Sequence, residues 1–362
     1  MAVSIDLPKT QRAIVANDQR DYCVRDDVPL PPISPDCVII KTEYMVGPFV
    51  KPGATYGIDA AGIVVAMGAD VAAAGRLHLG DRVAGAADGM EGLRPQSGAF
   101  AEYVSMDGDM ALQMPDNMSF AEGAGMGLRI ATASMAIFHS LGIPAELLQT
   151  PAEEKGSFPV LVYGGSTSTG TMAIQLLKRC GLKVLTTCSP GHFDLVREYG
   201  ADVCFDYHEG SCGEDIRAYT GNALDYVVDC ITTESSMKIC YQAIGRCGGK
   251  YVGLEPYPEA TAATRRVVSS DWILATWMRG LPISWPEPFG TEGKPEARAF
   301  AQRFFPYIHP LFASGELKAH PTCQEPGGFE GSLDGVARLR KGQVRGQKLV
   351  YKTTDRRIAV AV

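Results

Sequence analysis

Residues Phe158–Leu177, FPVLVYGGSTSTGTMAIQLL, constrain this chain more than any other stretch. The apolar run Val160–Tyr163 predicts a buried strand. It breaks into Gly164-Gly165 and small, mostly hydroxylated residues as far as Thr171, and apolar residues return at helical spacing over Met172–Arg179. Strand, tight turn and helix in that order make the opening unit of a dinucleotide-binding fold. Glycine lets the backbone turn sharply and approach a pyrophosphate, while the amides of a helix's first turn face negative charge. The spacing departs from GxGxxG, and the hydroxyls of Ser166, Thr167 and Thr169 offer replacement donors. Any strand–turn–helix of an α/β protein fits the same pattern, so the rest of the chain has to discriminate.

Downstream the alternation is regular. Strands are predicted at Lys183–Cys188, Ala201–Tyr207, Tyr226–Cys230 and Tyr251–Leu254, with helices at Phe193–Tyr199, Gly213–Tyr219 and Ser235–Ile244 between them. Alternating strands and helices give a parallel sheet that binds ligands at the carboxyl ends of its strands. After Pro256 the pattern weakens, leaving helices at Arg298–Ser314 and Gly331–Lys341, a last strand at Lys348–Lys352 and a tail, Thr353–Val362, with no obvious partner.

Upstream, Gln11–Gly108 reads as all-β. Short runs (Ala13–Ala16, Cys37–Thr42, Gly62–Val65, Arg82–Gly85, Phe100–Val104) are separated by Pro, Gly and Asp. At Ser119 the pattern changes: Ser119 and Glu122 form a capping box, and a helical stretch runs to about Leu141 with a break near Gly125–Gly127. A chain of 362 residues exceeds one ordinary core, so at least two domains are expected. The net charge of −7 argues against non-specific nucleic-acid binding. The first residues, MAVSIDLPKTQRAIV, lack a signal-peptide pattern, so a cytoplasmic address is expected. The ten cysteines include no CxxC, and the six histidines are dispersed, so buried free thiols and no metal centre are expected.

The second strand of the alternating region bears on which dinucleotide fits. An Asp or Glu at its end would bind a ribose 2′-hydroxyl. Here it ends in Thr187-Cys188-Ser189-Pro190-Gly191-His192, with no acid before Asp194 and with His192 and Arg197 close by. A carboxylate there would repel a 2′-phosphate, so its absence favours NADPH over NADH. The alternative is a loop that happens to contain a serine.

The segments GIDAAGIVVAMG, GDRVAG, GAFAEYV, YGGSTSTG, TTCSPGHFDLVREYGADVCFDY and YVVDCI resemble the zinc-free branch of the medium-chain dehydrogenase/reductase superfamily. Where zinc members carry Gly-His-Glu, this chain has Gly57-Ile58-Asp59. More narrowly, Leu161–Asp194, Ala243–Gly249 and Arg340–Val350 are similar to the fungal trans-acting enoyl reductases that serve polyketide synthases and polyketide synthase–peptide synthetase hybrids, with the lovastatin enoyl reductase as type member. The resemblance implies an α/β fold: a Rossmann-type parallel sheet domain plus a GroES-like β-rich domain. The expected division is a GroES-like substrate and catalytic domain over residues 1–140, an NADPH-binding domain over 141–284 and a return to the substrate domain over 285–362. The resemblance also implies a monomer.

Carried over by residue, the resemblance implies a cofactor site of Ser166, Thr167, Ser168 and Thr169 at the phosphates. Ser189, Pro190, Gly191 and His192 would lie near the 2′-phosphate and Tyr207 beside the adenine or ribose. Leu254 and Glu255 would lie near the nicotinamide, with Val344 and Arg345 closing the site. The acyl chain would be lined by Thr132, Ala133, Ser134, Met135, Ala136, Ile137, Phe138 and His139, and by Thr276, Trp277, Met278, Arg279 and Gly280. Ordinary core packing explains these apolar residues equally well.

One departure stands out. Family members follow the strand equivalent to Val38–Glu43 with N-P-x-D-x-K, whose lysine meets the nicotinamide end; here Thr42-Glu43-Tyr44-Met45 passes directly into VGPFVKPGATYG. Either an exon boundary is misplaced or a contact is gone, and one charge-assisted contact is worth about 1.5–3 kcal/mol. Lys51 is a poor substitute because it aligns downstream.

The implied chemistry is NADPH-dependent conjugate reduction of an α,β-unsaturated thioester held on a carrier protein of the synthase. No residue declares itself as proton donor; water and Thr132 are the candidates. Arg338, Arg340, Lys341 and Arg345 would suit an acidic carrier, although a solvated helix face explains them as well. Rival readings are a free-standing quinone or enone reductase and a non-catalytic, cofactor-binding partner of the synthase.

Overall fold

The computed structural model describes residues 3–19, 21–46, 52–150 and 157–353. They form two compact units: Met1–Leu128 with Thr276–Val362, and Arg129–Ala275.

In the second unit, strands covered by helices on both faces are apolar along their whole length. Val160, Leu161 and Val162 are fully buried, as are Val184 and Leu185 in the neighbouring strand. Six parallel strands run in the spatial order Val203–Phe205, Lys183–Thr187, Pro159–Tyr163, Tyr226–Asp229, Gly249–Gly253, Val268–Trp272. Numbered along the chain this is 3-2-1-4-5-6, the doubly wound order, and it reverses between the first and fourth strands. The ligand position expected of such a fold is there, at the carboxyl ends of Pro159–Tyr163 and Tyr226–Asp229.

The first unit is built on an eight-stranded sheet. Its main path runs Thr322–Glu325, Lys348–Lys352, Cys37–Val46, Asp59–Met67, Arg82–Ala86, Leu112–Gln113. Val3–Ser4 pairs with Asp59–Met67, and Tyr103–Asp107 with Cys37–Val46. A separate ribbon joins Thr10–Ala16 to Tyr22–Pro29. Alternate residues such as Val38, Ile40, Val64, Val83 and Val104 share one core. Each such side chain contributes about 1.5–3 kcal/mol by leaving water.

The capping box forms as expected: Glu122 N–H donates to Ser119 Oγ (3.3 Å), and Ser119 N–H donates to Glu122 Oε2 (2.8 Å). The break at Gly125–Gly127 separates helices Phe120–Gly123 and Gly127–Ser134.

Other expectations need correction. The third strand spans only Val203–Phe205: before it the carboxylate of Asp202 takes the Val184 amide (2.7 Å) and the Lys178 ammonium (2.8 Å), and after it the carboxylate of Asp206 takes the His208 amide (3.0 Å). The weak pattern after Pro256 conceals a sixth parallel strand, Val268–Trp272; as an edge strand it alternates exposed and covered residues and carries Ser269, Ser270 and Asp271. The strand placed at Phe100–Val104 lies at Tyr103–Asp107. Helices expected at Arg298–Ser314 and Gly331–Lys341 begin earlier, at Pro295 and Gly328. Cys247 is exposed, and only five of the cysteines are buried. The tail beyond Thr353 and residues 47–51, Lys51 among them, lie outside the described residues, whereas the Thr42–Met45 junction falls within strand Cys37–Val46, where Tyr44 and Met45 pair with Ala61 and Ala60. No helix among the described residues is long and apolar enough to cross a membrane.

Candidate functional site

The turn after Pro159–Tyr163 is tied to the next strand. Gly164 N–H donates to Thr187 O and Oγ1 (3.2 and 3.1 Å), and Gly165 N–H to Thr187 O (3.0 Å). Gly164 has φ +79°, a conformation that suits glycine. A Cβ on Gly165 would lie 1.9 Å from Thr186 Oγ1, and one on Gly170 would lie 2.4 Å from Gly164 O. Gly165 therefore lets the turn close against the second strand, and Gly170 lets helix Ser168–Arg179 approach the turn. Thr167 caps that helix by accepting Gly170 N–H (3.0 Å). Ser168 Oγ is buried with no hydrogen-bond partner among the described residues. A buried orphan hydroxyl on the first turn of a twelve-residue helix, above a glycine cradle, fits the phosphates of a dinucleotide. Ser166 and Thr169 stand half-buried on the same turn.

At the end of the second strand, Cys188 is buried, and Ser189 Oγ meets Tyr207 Oη at 3.3 Å. Pro190–His192 form a single 3-10 turn before helix Phe193–Glu198. Pro190 and Gly191 are exposed, and a Cβ on Gly191 would meet open space. Asp194 points into solvent and pairs with Arg197 (3.3 Å). The third-strand acid, Asp206, is engaged by His208 N–H (3.0 Å) and Nδ1 (2.6 Å), which hold its carboxyl below the usual range. Tyr207 lies beside His208 and Tyr163 with tilted rings, their centroids 4.1 and 6.2 Å away. The structure thus brings Ser189 and Tyr207 together.

Across the switch point, Asp229 is fully buried at the end of the fourth strand. Its Oδ1 accepts Ile231 N–H (2.9 Å) and Thr232 N–H (3.0 Å), while Oδ2 accepts Ser236 Oγ (2.7 Å) and Tyr251 Oη (2.9 Å). Burial raises its carboxyl, and these donors oppose the shift. Thr232 has φ +55°, a strain of order 1–3 kcal/mol for a β-branched residue, and accepts Leu254 N–H at 2.9 Å. Sequence reasoning missed both residues. The readable signal was the aspartate ending YVVDCI, an ionisable group on an otherwise apolar strand.

Of the acyl-lining candidates in this unit, Ala133 to Phe138 are buried; Thr132 is half-buried and His139 exposed. Met135–Ser140 is a π-helical stretch, in which Leu141 N–H donates to Ala136 O (3.0 Å). Such widened turns recur at functional sites.

In the first unit, Thr276 is half-buried and Met278 fully buried, and Lys294 Nζ lies 4.2 Å from the Trp277 ring centroid. Gly280 has φ +72°. Arg279 Nε and Nη2 donate to Asp107 (2.7 and 3.2 Å), and Nη1 donates to Asp88. Burial alone would lower the guanidinium's pKa, but the two carboxylates outweigh it and raise it. Asp107 also approaches Asp36 and Cys37 within 4.8 Å. With Asp107 held by Arg279 and the Cys37 thiol pushed up by burial to about 12, this cluster has the chemistry of an ion pair. Asp59, at the end of Gly57-Ile58-Asp59, is buried and accepts Lys348 Nζ (2.7 Å) and Leu128 N–H (2.6 Å). Val344 packs against the core containing Tyr351, and Arg345 and Lys341 are exposed. Arg338 pairs with Glu325 (2.8 Å), and Arg340 lies over Tyr22.

Residues 33–116 match the alcohol dehydrogenase GroES-like domain, and residues 168–278 match the zinc-binding dehydrogenase model. The chain is 49% identical over 360 residues to the trans-enoyl reductase buaC of Petromyces alliaceus, covering 97% of this chain and 99% of that one. It is 43% identical to the trans-enoyl reductase caaB of Aspergillus niger, covering 95% and 98%. Among solved structures it is similar in fold to CurK enoyl reductase, with TM-score 0.70, 15% identity and coverage of 95% and 98%. A zinc-dependent alcohol dehydrogenase protein from Rhizobium etli gives TM-score 0.72 at 22% identity, covering 96% and 99%. With the doubly wound sheet and the glycine cradle, this near-full-length identity places the chain in the fungal trans-enoyl reductase family, oxidoreductases of the medium-chain dehydrogenase/reductase architecture.

Proposed function

We propose that the chain uses NADPH to reduce the α,β-double bond of an enoyl thioester carried by a partner polyketide synthase or polyketide synthase–peptide synthetase hybrid. A nicotinamide cofactor follows from the family. The observation that carries the site assignment is the glycine cradle with the orphan Ser168 hydroxyl at the switch point. The choice of NADPH rests on the second-strand loop, where Ser189 and Tyr207 meet and the nearest acids are already engaged, Asp194 by Arg197 and Asp206 by His208.

Bound there, a reduced nicotinamide supplies hydride for conjugate reduction. The chain's own part is to hold the phosphates with Ser166–Thr169, to stack the adenine against Tyr207, and to fix the nicotinamide end through Leu254 and Glu255. Negative charge developing on the thioester oxygen calls for N–H or O–H donors. For the proton at the α-carbon, water and Thr132, a half-buried residue of the proposed acyl-lining segment, are the candidates. Arg279 is better read as an internal counter-ion than as an acyl contact, since both of its faces are taken by carboxylates. A monomer in the cytoplasm completes the reading.

The test is NADPH oxidation by the full chain with one enoyl group presented on the synthase's carrier domain and as a free thioester. The expected result is turnover with NADPH and a preference for the carrier-bound form. Equal rates on both substrates would favour a free-standing enone reductase, and cofactor binding without turnover would favour a non-catalytic partner.

A further inference from the structure

We infer that Thr232 is a positioning residue for the nicotinamide end of the cofactor. The inference rests on the cofactor site proposed above. The fourth and fifth strands end side by side, with Asp229 opposite Gly253 in the ladder. Beyond those ends one hydroxyl joins the two loops. Thr232 Oγ1 donates to Asp229 O (3.0 Å) and accepts the amide of Leu254 (2.9 Å). Its methyl group packs over Gly253, where a Cβ would come within 2.7 Å of Thr232 Cγ2. Leu254 is the residue assigned to the nicotinamide end, so its backbone path depends on a side chain of the neighbouring loop.

The conformation of Thr232 argues that this arrangement serves more than stability. Its φ of +55° lies in the left-handed region, which glycine or asparagine occupies at little cost and a β-branched residue does not. Asp229 imposes the turn by accepting the Ile231 and Thr232 amides, and its other oxygen is locked by Ser236 and Tyr251. The fold therefore forces the chain into a strained geometry and retains there the residue that reaches Leu254. A backbone outlier whose hydroxyl ties together the loops at the carboxyl ends of two strands beside the switch point is the pattern expected of a site held ready for a ligand.

The experiment compares Thr232→Ser, Thr232→Val and Thr232→Gly in the full chain. Isothermal titration with NADPH and with adenosine 2′,5′-bisphosphate is combined with thermal melts. The bisphosphate probes only the Ser189–Tyr207 half of the site. Thr232→Ser is expected to bind both ligands like the parent. Thr232→Val and Thr232→Gly are expected to bind NADPH about three- to tenfold more weakly, the worth of one neutral hydrogen bond, with bisphosphate binding unchanged. Thr232→Gly relieves the left-handed strain and should melt no lower than Thr232→Val, which separates positioning from folding. Unchanged NADPH binding in both variants, or parallel loss of both ligands, overturns the inference. Should the parent chain bind neither ligand, the cofactor reading itself fails and the inference falls with it.

Discussion

Replacing Arg279 by Met tests whether this residue holds the fold or touches substrate. The side chains of Asp88 and Asp107 are each 4% exposed and that of Arg279 is 11% exposed. Removing the guanidinium leaves Asp88 with Arg94 at 3.1 Å, but strips Asp107 of its two-point partner. Breaking a buried pair on one side costs about 3–5 kcal/mol, because the remaining charge is left out of water without compensation. For a unit of this size that corresponds to a fall of roughly 6–20 °C in melting temperature. Arg279→Met combined with Asp107→Asn removes the stranded charge and should recover about 2 kcal/mol or more. Thermal and urea unfolding at pH 7 measure both changes, and steady-state kinetics on the folded fraction should show KM for the enoyl thioester changed by less than about twofold. A single variant that melts like the parent, or a double variant no more stable than the single, would refute the reasoning. A selective rise in KM without destabilisation would return Arg279 to the acyl site.

Three further outcomes follow from the geometry. Burial holds the His309 imidazole down to about 4; its Nε2–H donates to Asp109 O (2.8 Å), and Nδ1 is buried without a hydrogen-bond partner among the described residues. A folded value below the ordinary one means that this stability is fully present above about pH 6.5 and is lost as pH falls through 4. The loss approaches about 3 kcal/mol, and unfolding of His309→Phe across that range should lack it. Gly165→Ala drives a methyl group onto Thr186 Oγ1, which donates to Val162 O (2.7 Å); melting should show a loss of about 1–3 kcal/mol or more, partly regained with Thr186→Ala. Ser189→Asp places a carboxylate where the 2′-phosphate is proposed, and should weaken NADPH about tenfold or more while improving NADH relative to it, read as the ratio of cofactor KM values.

The local character of the nucleotide unit was legible because its physics is local. Val160–Tyr163 must be buried, Gly164 must turn, and Thr167 caps the helix three residues later through Gly170, all within one short segment. The acid-free Cys188–His192 loop could be read in the same way, residue by residue. The edge strand Val268–Trp272 could not, since Ser269, Ser270 and Asp271 become strand residues only by pairing with Gly249–Gly253. Nor could the fate of Arg279, because its partners Asp88 and Asp107 lie far away along the chain.

By itself, then, the amino-acid order determined the alternation that makes a parallel sheet, the glycine turn at its head and the family resemblance, because periodicity and turn chemistry act over a few neighbours. The tertiary structure alone decided the 3-2-1-4-5-6 order, and with it the pairing of Tyr163 with Asp229 that sets the glycine turn beside the end of the fourth strand. It also decided which charged groups face inward and what holds them there, Arg279 between two carboxylates and Asp229 among neutral donors. Burial and ion pairing are properties of residues brought together from distant positions, and no local pattern records them.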